Sequence, residues 1–85
     1  MDRRRRIMSG HAKRVMLERN LEEAWIDLAI DKPDWRMSDP RRDGVDLRFK
    51  RIAERDGRVL RVAIVETPHE IRILTAFFDR RARRP

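Results

Sequence analysis

Val45-Asp46-Leu47-Arg48-Phe49-Lys50-Arg51-Ile52-Ala53-Glu54, then Arg55-Asp56-Gly57, then Arg58-Val59-Leu60-Arg61-Val62-Ala63-Ile64-Val65-Glu66 is the stretch whose reading decides the fold. Apolar and charged residues alternate on both sides of Asp56-Gly57, and that dipeptide favours the positive φ angles of a two-residue hairpin turn. Read as a type I′ turn, it pairs Arg55 with Arg58. Counting outward sets Ala53 against Leu60, Arg51 against Val62 and Phe49 against Ile64. One face of the expected hairpin then holds Leu47, Phe49, Ala53, Leu60, Val62 and Ile64, with Arg51 as its one discordant member. The other holds Arg48, Lys50, Ile52, Glu54, Val59, Arg61, Ala63 and Val65. The first face is expected to be core, and the second to present Arg48, Lys50 and Arg61 to solvent.

Downstream, Thr67-Pro68-His69 breaks the alternation before a further strand, Glu70–Phe78. This strand is apolar on both faces, which leaves its register open and suggests an interior place in the sheet. Upstream, residues 34–44 carry Pro40, Asp43 and Gly44 and read as a loop with a short extended piece around Trp35 to Met37. Before the loop, Glu22 and Glu23 favour the positive end of a helix over about residues 22–31, whose stripe is Leu21, Trp25, Leu28 and Ala29 and which Pro33 stops. Ser9 reads as the N-cap of an earlier helix over about residues 10–19, with Asn20 as a left-handed stop. The expected fold is α+β: two N-terminal helices packed on one face of an antiparallel meander of three to four strands. Residues 1–85 are expected to form one domain with basic, frayed ends at 1–6 and 80–85.

An 85-residue chain is too short for two independent cores. Its 22 Lys and Arg against 15 Asp and Glu leave a formal charge of +7, carried mostly by arginine, whose planar fork suits phosphate. A polyanionic partner is the first expectation. With no cysteine, disulfides, zinc ribbons and thiol nucleophiles are excluded. His11 and His69 do not form a spaced ligand set, and Gly10, Gly44 and Gly57 lack phosphate-loop spacing, so no metal and no cofactor are expected. No apolar stretch follows Arg3 to Arg6, and no apolar run approaches membrane-span length, so a cytoplasmic location away from membranes is expected.

The residues that remain suit metal-free chemistry on RNA. Such cleavage needs a group to take the 2′-hydroxyl proton, one to protonate the leaving oxygen, and fixed positive charge on the transition state. Histidine is the side-chain type whose unperturbed pKa lies nearest neutrality, which makes His11 the candidate acid or base; Arg48, Lys50 and Arg61 supply charge, and Thr75 supplies a hydroxyl on the last strand.

Five short motifs, Ser9-Gly10-His11-Ala12-Lys13-Arg14, Glu18-Arg19-Asn20-Leu21, Asp31-Lys32-Pro33-Asp34, Arg58-Val59-Leu60-Arg61-Val62 and Ile71-Arg72-Ile73-Leu74-Thr75-Ala76, resemble a bacterial family of domains of unknown function. That family is grouped with the RelE, ParE and BrnT toxin-like proteins, and the resemblance runs from about Ile7 to Arg80. It implies a RelE-like fold and a toxin-type endoribonuclease acting on RNA, including ribosome-bound mRNA, and held in check by an acidic antitoxin. It also implies roles for His11, Arg61 and Thr75 in catalysis, while Arg14 and Arg19 match first-helix arginines. Arg14, Arg48, Lys50 and Arg80 are the expected RNA contacts. The rival expectation is a non-catalytic basic module that docks an acidic protein or nucleic acid.

Overall fold

The computed structural model describes residues 4–84. Five strands and two helices follow in the order β1 (Arg5–Met8), α1 (Gly10–Glu18), α2 (Glu23–Asp31), β2 (Trp35–Ser38), β3 (Asp46–Ile52), β4 (Arg58–Glu66) and β5 (Glu70–Phe78). The helices start where the local chemistry predicts. Ser9 Oγ accepts from the Ala12 N–H at 3.0 Å, and Asn20 leaves α1 with φ 52°.

The sheet is mixed rather than wholly antiparallel, with five strands in the order β1-β5-β4-β3-β2. The expectation of three or four antiparallel strands missed β1, which pairs in parallel with β5 from Arg5 opposite Glu70 to Met8 opposite Ile73. Arg5 and Arg6, expected in a frayed end, are therefore strand residues; residues 1–3 and 85 of the expected ends lie outside the described residues. Four residues with two arginines at their start carry too short an alternation to be read as a strand, and β1 exists because β5 offers it an edge.

The register of the central hairpin differs from the expected one by three residues. Ile52, not Arg55, lies opposite Arg58, and the series runs on through Lys50 opposite Leu60 to Asp46 opposite Ile64. The cause is the turn. Ala53–Arg55 close a 3-10 turn, in which the Asp56 N–H bonds to the Ala53 carbonyl and the Gly57 N–H to that of Ile52. Asp56 and Gly57 do adopt positive φ, at 57° and 72°, yet they end a five-residue connection instead of forming a two-residue one. An odd slip exchanges the faces of one strand relative to the other.

On the face covered by the helices, Ile52, Leu60, Val62, Ile64, Ile71, Ile73 and Ala76 pack against Trp25, Ile26, Ala29 and Ile30. The slip thus puts Ile52 inside and leaves the discordant Arg51 exposed on the other side. That reverse face is not a bare basic surface. Trp35, Val45, Leu47, Phe49, Val59 and Ala63 form a second buried cluster there, with Val65, Leu74 and Ala82 against it. A bulge completes the pattern: Ala63 lies opposite Thr75 but Ile64 lies opposite Ile73, so Leu74 is an extra residue. Inward residues of β5 are odd before the bulge (Ile71, Ile73) and even after it (Ala76), which is why the strand reads as apolar on both sides.

Asp34 fastens β2 to β3. Its carboxylate accepts the Arg51 N–H at 2.8 Å and lies 3.4 Å from Lys50 Nζ, while its own N–H donates to the Phe49 carbonyl. The Arg51 N–H, helped by Lys50, holds this carboxyl below the ordinary value. A carboxyl whose folded pKa is depressed stabilises the fold above its unfolded pKa of about 3.9, and that contribution disappears as pH falls through the folded value. Thermal unfolding of wild type and Asp34→Asn is therefore expected to differ at pH 7, with the difference shrinking steadily below about pH 4. A pH-independent difference between the two curves would show that charge on Asp34 is not what matters.

Candidate nucleic-acid interface

The fold scatters the residues that the sequence reading grouped. Arg48 lies on the helix-covered face with 6% exposure, where Nη1 donates to the Ile30 carbonyl at 2.7 Å and Nε to Asp46 at 2.6 Å, and Nη2 pairs with Glu66. It is not on a solvent-facing basic surface; the register slip moved it across the sheet. Lys50 shares that face, half-buried and paired with Asp34. Arg61 stays on the reverse face, where it pairs with Asp79 at 3.3 Å and lies across from Phe77, and Thr75 lies across from Ala63. His11 is exposed at the start of α1, with Nδ1 3.3 Å from Arg14 Nη2. No described hydrogen bond or ion pair joins His11 to Arg61 or Thr75. Arg80 is exposed in the turn after β5.

The structure instead assembles arginines at one pole of the sheet, where β5 ends, β4 begins and α1 finishes. Arg58 lies over the Phe78 ring at 4.7 Å from its centroid, and Arg55 lies 5.3 Å from Phe78 and 5.4 Å from Trp25. Arg19 and Arg61 approach Phe77 at 5.8 and 5.3 Å. Phe78 in turn meets Trp25 edge-on at 6.1 Å, which ties the pole to the helix core. Arg19, Arg55, Arg58, Phe77 and Phe78 together line a groove of about 350 Å³.

How the charges are partnered separates the two poles. At the far pole Arg4 bridges Glu66, Arg6 bridges Asp27 and Asp31, Arg36 and Arg48 bridge Asp46 and Glu66, and Arg72 bridges Glu70. At the arginine–phenylalanine pole, no ion pair among the described residues involves Arg19, Arg55 or Arg58. Glu54 and Asp56 are exposed in the adjoining turn without bridging them. A ring holds a guanidinium by its flat face and leaves the in-plane N–H donors available, whereas a carboxylate consumes them. Arg19 spends one donor on the Ala76 carbonyl, and Arg55 makes long contacts of 3.4 Å to the Arg19 and Asn20 carbonyls. The remaining donors suit the oxygens of an incoming anion.

Residues 8–78 match the family model described as a domain of unknown function, DUF4258. The chain belongs to that family. Comparison with curated proteins and with solved structures returned no significant match. The DUF4258 region takes in both helices and the arginine–phenylalanine pole through Phe78, and leaves out the first three residues of β1 and the arginines after β5. Among the described residues of this DUF4258 domain there is no cluster of three or more metal-ligating side chains, and no helix is long and apolar enough to cross a membrane.

Sequence reasoning passed over Arg55, Arg58, Phe77 and Phe78. A signal was present: two arginines flanking Asp56-Gly57 and a Phe-Phe pair ending a strand. Only the pairing of Leu60 with Phe78 and Arg61 with Phe77 shows that the two meet.

Proposed function

We propose that this DUF4258 domain is a RelE-like, toxin-type RNA-binding module that grips the phosphates of single-stranded RNA with Arg19, Arg55, Arg58 and Arg61. The observation that carries the reading is the set of arginines laid on Phe77, Phe78 and Trp25, with Arg19, Arg55 and Arg58 outside any carboxylate bridge among the described residues. Two helices on one face of a largely antiparallel sheet support the RelE-like part, as does the resemblance of the five short motifs to a family grouped with the RelE, ParE and BrnT proteins. Binding is favoured over cleavage, because His11 stands at the N-terminal end of α1 and Arg19 just past its other end, roughly 12 Å apart along the axis at 1.5 Å per residue.

Binding of a labelled single-stranded RNA, followed by anisotropy in EDTA, tests this. Each neutralised phosphate contributes a salt slope near −0.7, so four contacts are expected to weaken binding about 50-fold between 50 and 200 mM salt. The double variant Arg55→Ala/Arg58→Ala is expected to bind more weakly and to show a shallower slope, reduced by about 1.4. Salt-independent affinity, or a variant indistinguishable from wild type, would remove the phosphate-binding reading. The same samples run on a sequencing gel settle the chemistry: cleavage by wild type that His11→Ala loses would make the domain a metal-free ribonuclease. Tight binding of an acidic polypeptide with no RNA bound would instead favour the protein-docking rival.

A further inference from the structure

Beside the groove lies a second cleft, of about 370 Å³, between the β3–β4 turn and the segment that follows β5; Arg51, Arg58, Arg80 and Arg83 surround it, and Val59, Phe78 and Ala82 form its apolar walls. We propose that it seats a terminal phosphate monoester of an RNA strand, extending the binding reading above from the body of the strand to its end.

Charge is the first argument. No ion pair among the described residues involves Arg51, Arg58, Arg80 or Arg83. The acid in the lining is Asp79, and both its oxygens are occupied: Oδ2 faces Arg61 at 3.3 Å and Oδ1 accepts the Arg81 N–H at 2.9 Å. Four guanidiniums gathered on a nucleotide-sized space exceed what one phosphodiester, with a single charge, neutralises. A monoester carries about −1.5 to −2 near neutral pH, because its second pKa is about 6.

The second argument is that the cleft is built and not left by a trailing end. The Asp79 N–H donates to the Val59 carbonyl, the Ala82 N–H donates to that of Asp79, and Ala82 packs on the reverse-face cluster, so the turn carrying Arg80 and Arg83 is anchored to β4. Arg58 belongs to both cleft and groove, which makes the two sites continuous.

The titrating group is the ligand itself. The charged groups facing it are Arg51 from β3, Arg58 from β4, and Asp79, Arg80 and Arg83 from the C-terminal segment, and the arginines hold their protons throughout. Affinity for a monoester is therefore expected to rise as pH increases from 5 to 7.5, while affinity for a hydroxyl-ended strand shows no such rise.

The test compares one oligoribonucleotide with a 5′-phosphate, a 3′-phosphate or two hydroxyl ends, binding to wild type and to Arg51→Ala/Arg83→Ala. Expected at pH 7.5 is an advantage of about ten-fold for one phosphorylated end, identifying which terminus enters, and an advantage cut to under three-fold at pH 5. The variant is expected to lose that advantage. Equal affinity for all three ends, with RNA still bound, overturns the cleft and leaves the groove reading intact. If no RNA binds, inorganic phosphate titrated against the amide NMR spectrum decides separately: shifts at Gly57, Arg58, Arg80 and Arg83 sustain the monoester site, and their absence ends it.

Discussion

Replacing Arg48 by alanine is expected to destabilise the domain by about 3 kcal/mol and to lower its Tm by about 12–24 °C. The guanidinium is the buried charge at the far pole, and its loss leaves the Ile30 carbonyl at the end of α2 without its side-chain donor. It also withdraws the positive partner lying between Asp46 and Glu66. Arg36 and Arg4 still reach those carboxylates, at 3.3 and 3.1 Å, which keeps the loss below that of an isolated buried pair. Arg48→Lys retains the charge but not the three-way fork, and is expected to fall between wild type and alanine. RNA affinity of the folded Arg48→Ala protein should remain close to wild type. A protein that keeps its Tm and loses affinity would return Arg48 to the binding surface.

Phe49→Ala is expected to cost about 3–5 kcal/mol, the range for emptying a buried aromatic site. Phe49 is 4% exposed and stacks on Trp35 with ring centroids 4.8 Å apart and planes 8° from parallel. No helix covers this face, so the stack, with Leu47, Val59 and Ala63, closes the sheet on its own. Chemical denaturation gives the measurement directly. A loss below about 1 kcal/mol would mean that the reverse face is surface rather than a second core.

The parts of the fold that the sequence made legible are those set by neighbours in the chain. Ser9, Asn20, Glu23 and Pro33 bound the helices within a residue of expectation, and Arg58–Glu66 and Glu70–Phe78 are the expected strands. What failed depended on turn geometry and on distant partners. Asp56-Gly57 takes the positive φ angles that suit it, but Ala53–Arg55 coil before it, and this local event moves Arg48 from the expected solvent face into the core. β1 and the Leu74 bulge were hidden for the same reason, since each is defined by a strand far away in sequence. For the candidate site, composition drew attention to arginine. It could not distinguish Arg48, consumed by Asp46, Glu66 and Ile30, from Arg58, laid on Phe78.

The parallel pairing of β1 with β5 also has a consequence for how the protein is born. Arg5 finds its strand partner at Glu70, so this contact joins parts of the domain that are far apart in sequence. Closing so long a loop is slow and must await the last strand. Until Phe77 and Phe78 emerge, Arg19, Arg58 and Arg61 lack the rings they lie upon, and Arg55 has Trp25 alone. A chain cut short before β5 thus leaves these arginines loose, and the proposed grip on a polyanion forms only once β5 is in place.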